Sequence, residues 1–151
     1  MIDQTMPQGT DGRRRFADMV RIEAMNGGFI RADDERRLLQ DGMVRYNLSL
    51  EEARGVLLST VNDQGFSLQR TTESEIRDLI LVQSARNRGR RLSKAEFDQA
   101  VDMYRAKTKG RVAPDEARLR VKAIMEENDV RPKRAGWVIR SRRWYNSIKA
   151  G

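Results

Sequence analysis

Apolar residues recur at three- and four-residue steps through most of this chain, in short runs that open on helix-start signals, and this pattern confines it to the all-α class. From Arg13 onward Phe16, Met19, Val20 and Ala24 share one helical face, and Asn26-Gly27-Gly28 closes the run with residues that tolerate left-handed geometry. Asp33-Asp34-Glu35 opens a second run carrying Leu39, Met43 and Tyr46, with acids where the helix macrodipole is positive. Three Ser/Thr-x-x-Glu capping boxes follow: Ser49/Glu52, Thr72/Glu75 and Ser93/Glu96, each leading into apolar residues in helical register. Pro114, with Asp115 and Glu116, marks the first turn of a sixth helix whose stripe is Ala117, Val121, Ile124 and Met125.

The order of signals then repeats. Residues 16–61 and 76–127 both read as a helix, a Gly turn ending in an apolar residue, an acid-bearing helix, a loop, and a helix containing Glu-Ala-Arg. Gly27 and Ile30 match Gly89 and Leu92 at an offset of 62, and Glu52-Ala53-Arg54 matches Glu116-Ala117-Arg118 at 64, so the second loop holds two extra residues. The expected architecture is a six- or seven-helix bundle made of two similar three-helix halves, 13–62 and 72–128. A flexible leader (1–12) precedes it, "NDQGFSLQR" links the halves, and a basic, aromatic C-terminal helix (133–149) completes a single helical domain over 13–151.

A chain of 151 residues buries enough surface to fold without a metal or disulfide staple. It has no cysteine and no histidine, which removes thiolate chemistry, the commonest general acid–base group and the commonest metal ligand. Phosphate-cradling and dinucleotide Gly motifs are missing, as is any nucleophile with an adjacent base, so the reading is of a protein that is not an enzyme, uses no cofactor and holds no metal. Read as calcium loops, the Gly turns put Met25 and Gly27 where oxygen ligands belong. No run approaches the roughly 20 apolar residues of a membrane helix, and the expected location is the cytoplasm.

The helix, the Gly-x-x-Ile turn, the acidic helix start and "NLSLEEARGVL" together resemble the tellurite-resistance TerB-like family over roughly residues 13–128. The resemblance implies an all-helical fold of two similar halves. The family's acidic cluster, thought of as a metal site, would map onto Asp33, Asp34 and Glu35. The second half departs from the pattern: its turn reads "NRGRRLSKAE", leaving only Glu96. The fold is therefore carried over, and the site is not.

Charge is concentrated at two places. The net charge is +8, and residues 131–151 hold seven Lys/Arg and no acid, so the rest of the chain is close to neutral. Within the tail, Trp137, Val138, Ser141, Trp144, Tyr145 and Ile148 share one side of a helical wheel. Arg140, Arg142 and Arg143 lie opposite, and Ile139 is a misfit. The second place is the turn "ARNRGRRLSK", with Arg88, Arg90 and Arg91 feeding a helix start. Three roles stay open for the tail: an aromatic face docked on the body, an anionic membrane surface met by Trp and Arg, or nucleic acid with phosphate on the arginines. The expected function is a binding or adaptor module that engages an acidic protein partner through Trp137, Arg140, Arg142, Arg143 and Trp144, with Arg88, Arg90 and Arg91 as a second patch. The alternative is a nucleic-acid-binding protein using the same groups. Exposed apolar faces on short helices would also serve a homo-oligomer.

Overall fold

A computed structural model describes residues 8–136 and 140–149. The chain divides into two compact units, Met1–Arg70 and Thr71–Gly151. Seven helices and four two-residue strands are found among the described residues, and the fold is all-α.

In the first unit α1 (Gln8–Ala24) leads through a glycine turn into β1 (Phe29–Ile30) and α2 (Ala32–Arg45); α3 (Leu50–Gln64) and β2 (Ser67–Leu68) follow. β1 and β2 pair in parallel, Phe29 with Ser67 and Ile30 with Leu68. The core is Phe16, Val20, Ile30, Leu38, Leu57 and Leu68, all essentially without exposure. Ser49 caps α3 as expected: its hydroxyl accepts from the Glu52 N–H (3.1 Å), and the Glu52 carboxylate accepts from the Ser49 N–H (2.9 Å). α3 ends in a Schellman closure, with Gly65 left-handed at φ 65° and the Phe66 N–H reaching back to the Val61 carbonyl (2.9 Å).

The second unit repeats this plan. α4 (Gln69–Ala85), β3 (Arg91–Leu92), α5 (Lys94–Lys107), α6 (Pro114–Glu127) and β4 (Arg131–Pro132) occur in the same order, and a short α7 (Arg143–Asn146) is added. β3 and β4 are again parallel, Arg91 with Arg131 and Leu92 with Pro132. The Ser93/Glu96 box is formed, and Pro114 stands in the first turn of α6. α6 closes like α3, with Asp129 left-handed at φ 55° and the Val130 N–H on the Met125 carbonyl (2.9 Å).

Buried positions correspond between the units with an offset that grows in steps. Phe16, Val20 and Ala24 match Ile76, Ile80 and Ser84 at 60; Ile30, Leu38 and Gly42 match Leu92, Ala100 and Tyr104 at 62; Leu48, Ala53, Leu57 and Val61 match Val112, Ala117, Val121 and Met125 at 64. The second unit thus carries two extra residues in its first turn and two more in its α5–α6 loop. Side-chain volume differs at two matched positions. A Cβ built on Gly42 would lie 3.1 Å from the Phe16 ring, a tight approach that the ring could meet only by shifting a few tenths of an ångström. The second unit has the smaller Ile76 and places Tyr104 at the Gly42 position, both fully buried. Each unit also ties its first helix to its third by an Arg–Glu pair of opposite polarity, Arg13 with Glu52 and Glu73 with Arg120.

Three expectations are corrected. Residues 8–12, assigned to a leader, are the first turns of α1. The Thr72/Glu75 box does not form, because α4 has already begun at Gln69: Thr72 is buried inside the helix, and Glu75 pairs with Lys107. The linker "NDQGFSLQR" is the end of α3, β2 and the start of α4.

Candidate anion-binding site

The expected helix over 133–149 is also corrected. Lys133 is held in extended backbone, its N–H donating to the Leu92 carbonyl (2.8 Å) as a continuation of the β3–β4 ladder. Gly136 follows at φ 130°, and Ala135 and Ser141 then form an antiparallel bridge (2.7 and 2.9 Å). Among the described residues of the tail only Arg143–Asn146 is helical. Trp137, Val138 and Ile139 fall outside the described residues. A single four-residue turn has too few internal hydrogen bonds to stand alone, and packing within the second unit holds it.

The packing is aromatic. Trp144 sits against Phe97 of α5 (centroids 5.2 Å apart) and edge-on to Tyr145 (5.7 Å), and its indole N–H donates to the Lys133 carbonyl (3.1 Å). Tyr145 is buried and donates its hydroxyl to Glu126 of α6 (3.2 Å). The ammonium of Lys122 lies 4.5 Å over the Tyr145 ring and donates to the Ile148 carbonyl (2.9 Å), a cation at the C-terminal end of the turn. Burial, then the negative charge of Glu126 and the bond to it, push the Tyr145 phenol up from its ordinary range. The aromatic side of the tail, as far as it is described, is docked on the body of the second unit.

The two basic segments meet. Pairing of β3 with β4 sets Arg91 beside Arg131, and the Arg90 carbonyl accepts from the Arg131 N–H (3.0 Å). Arg88 and Arg90 flank Gly89 in the turn above, and Lys133 and Arg134 continue from β4. The Ala135–Ser141 bridge brings Arg140 and Arg142, the neighbours of Ser141, back toward Arg134. Arg88, Arg90, Arg91, Arg131, Arg134, Arg140 and Arg143 are exposed. Arg142 is half-buried, and its Nε has no hydrogen-bond partner among the described residues.

Beneath the turn lies a polar network that orders it. The Asn87 amide donates to the Arg91 carbonyl (2.8 Å) and lies 3.4 Å from a Glu96 oxygen, while Lys133 Nζ donates to Asn87 Oδ1 (2.5 Å). Burial disfavours the charged Glu96 carboxylate. Hydrogen bonds from the Ser93 backbone and side chain and from Asn87, together with the charge of Lys133, outweigh it and hold the group below its ordinary range. Glu96 is thereby spent on the helix cap and the network.

Carboxylates pair with many of the arginines elsewhere but with none of these. Arg15, Arg21 and Arg45 each pair within α1 or α2 at 2.6–3.2 Å, and Glu73 takes Arg120 in a bidentate contact (2.8 and 2.7 Å). Among the described residues no carboxylate comes within ion-pair distance of the seven exposed arginines of the turn and tail. The backbone is also strained at this point: Arg90 is left-handed at φ 51°, in the position that Gly28 fills at φ 68° in the first unit. An L-residue there costs about 1–2 kcal/mol.

Asp33, Asp34 and Glu35, the carboxylates that a TerB-like site would use, are turned to different partners: Arg36 at 3.6 Å, Arg37 at 3.0 Å and Arg70 at 3.7 Å. Among the described residues no three acidic side chains come together as a metal-holding group, so this donor set does not fit a cation cage. The described residues also hold no helix long and apolar enough to cross a membrane. Comparison with protein-family models, curated proteins and solved structures gives no match.

The sequence located both basic segments but not their union, because the ladder joining residue 91 to residue 131 is two residues long and has no periodic signal. It also missed Asn87 and Lys133, whose roles depend on that ladder. The one available clue was an arginine standing beside the turn glycine where the first half reads Gly-Gly.

Proposed function

We propose that this protein is a non-catalytic binding module that engages an acidic protein partner through the cationic face of its second unit. The observation that carries the reading is the set of exposed arginines left without carboxylates in a chain that pairs most of its other charges. Like charges gathered on a strained turn cost stability. An anionic surface would recover that cost, since Arg forks bind carboxylates in bidentate fashion. The residues assigned to contact are Arg88, Arg90, Arg91, Arg131, Arg134, Arg140 and Arg143. Trp144, held by Phe97 and Lys133, supports the tail from behind.

The test is a fluorescence-anisotropy titration of labelled Asp/Glu-rich peptide, duplex DNA and single-stranded RNA against the full chain at two salt concentrations. Binding of the acidic peptide that weakens at least tenfold in Arg88→Gln/Arg90→Gln/Arg91→Gln, with no comparable nucleic-acid binding, is expected. Preference for DNA with a log–log salt slope near about −0.9 per phosphate neutralised would replace this reading with a nucleic-acid one.

A further inference from the structure

A cleft of about 650 Å³ opens in the second unit between the outer faces of α5 and α6 and the C-terminal turn. Its floor is apolar: Phe97, Leu119, Trp144 and Ile148. Its rim carries two ion pairs and a further cation. Lys94 meets Asp98 at 2.7 Å, Arg118 meets Asp115 at 3.1 Å, and Lys149 stands at the end of the tail. The volume lies within the range of roughly 300–1,000 Å³ usual for ligand pockets.

The cleft adjoins the cationic face. Lys94, on its rim, is separated from Arg91 of the basic turn only by Leu92 and the capping Ser93. Trp144, in its floor, is fixed by its indole bond to Lys133, the residue that continues β4. An anionic chain lying on Arg90, Arg91 and Arg131 therefore meets an apolar recess beside them.

We infer that this cleft receives an apolar side chain of an acidic peptide segment whose carboxylates lie on the neighbouring arginines. This inference rests on the acidic-partner reading above and adds the anchor to it. The lining selects the occupant. Asp98 and Asp115 on the rim are each paired with a cation and keep oxygen atoms able to accept from peptide N–H groups. Leu119 and Ile148 offer aliphatic contact, and the Trp144 ring is already flanked by Phe97 and Tyr145, an arrangement suited to a leucine or phenylalanine rather than to a stacked base. Specificity then comes in two parts, a cationic surface that reads acidity and a recess that reads one apolar position.

The experiment uses the full chain with Trp137→Phe, which leaves Trp144 as its only tryptophan. Two labelled Asp/Glu-rich peptides are titrated, identical except that one carries a central Leu-Leu and the other Gly-Gly. The Leu peptide is expected to bind at least tenfold tighter and to shift Trp144 emission, whereas the Gly peptide leaves the emission unchanged. Ile148→Ser and, separately, Leu119→Gln are expected to bring the two affinities together without weakening the Gly peptide. Equal affinities in the parent chain would sink the cleft assignment and leave the acidic-partner reading standing. No binding of either peptide would overturn both.

Discussion

Replacing Arg90 with glycine should make the protein more stable and a poorer binder at once. Arg90 holds φ 51°, where an L-residue costs about 1–2 kcal/mol, and glycine removes that cost. Against this, glycine gives the unfolded chain extra freedom worth about 0.5–1 kcal/mol. The two main-chain bonds at this position, from the Arg90 N–H to the Asn87 carbonyl (3.2 Å) and from the Arg131 N–H to the Arg90 carbonyl (3.0 Å), survive the change. The net gain is therefore roughly 0.5–1 kcal/mol, which at a urea m-value of about 1–2 kcal/mol/M raises the midpoint by roughly 0.5 M. Both tryptophans lie in the second unit, so their fluorescence reports its unfolding. Arg90→Ala is the control: it removes the same charge and keeps the left-handed strain, so its midpoint should stay near that of the parent chain. Both variants should lose affinity for the acidic peptide to a similar extent. A midpoint that rises as much with alanine as with glycine would show that charge relief, not backbone strain, sets the effect. A fall with glycine would refute the strain argument outright.

Glu73→Ala should destabilise the second unit by about 1–3 kcal/mol, because the Tyr104 hydroxyl, which donates to Glu73 at 3.1 Å from a fully buried residue, loses its acceptor. Arg120 is partly exposed and adds little to this. Glu73→Gln, which keeps an acceptor, should cost clearly less in a urea melt, and equal costs would place the effect elsewhere. Alkaline pH should release the tail. Burial first, then Glu126, raises the Tyr145 phenol above its unfolded value, so the unfolded chain gives up this proton before the folded chain does. The docking energy is complete below the unfolded pKa of about 10 and is lost as pH rises through the folded value. Trp144 emission in a Trp137→Phe chain should move to the red above that pH, and Tyr145→Phe should reduce the dependence on pH to the part set by the buried Tyr104, whose phenol is also raised by burial and Glu73.

Much of the fold was legible in local signals. Ser49/Glu52 and Ser93/Glu96 begin helices where the capping pattern put them, and Ala53 and Ala117, from the shared Glu-Ala-Arg, are both fully buried at matched positions. These features depend on neighbours three or four residues away, which a sequence displays directly. Features set by distant neighbours were hidden. The Thr72/Glu75 pattern is as good a box as the other two, yet α4 starts at Gln69, whose side chain accepts from the Ala32 N–H (3.0 Å) and caps α2. The tail has a convincing amphipathic wheel, but residues 131–133 are committed to the ladder with β3 and Gly136 leaves helical space. The first-turn insertion was missed because alignment on Gly27 and Gly89 gives the α1 and α4 positions the wrong offset. Only burial shows that Phe16, Val20 and Ala24 answer to Ile76, Ile80 and Ser84.

The first unit serves as an internal control for the second. Each needs a turn that joins its first helix to a two-residue strand, a left-handed residue before that strand, and a carbonyl to receive the partner strand. The first unit meets these needs with Gly28 at φ 68°, whose carbonyl accepts from the Ser67 N–H (2.8 Å). The second meets them with Arg90, at an energetic cost, and surrounds it with Arg88, Arg91, Arg131 and Arg134. Nothing in the shared plan demands these cations, since the same ladder forms in the first unit between Phe29-Ile30 and Ser67-Leu68. Where the units differ in the pair that ties the first helix to the third, the change is compensated, one Arg–Glu clamp being reversed into another. At the turn the difference is uncompensated, with strain accepted and charge left unpaired. The same chain puts left-handed Asp129 where the first unit has Gly65, so strain alone marks no site; the unpaired charge at the turn is what an anionic partner, as proposed above, would recover.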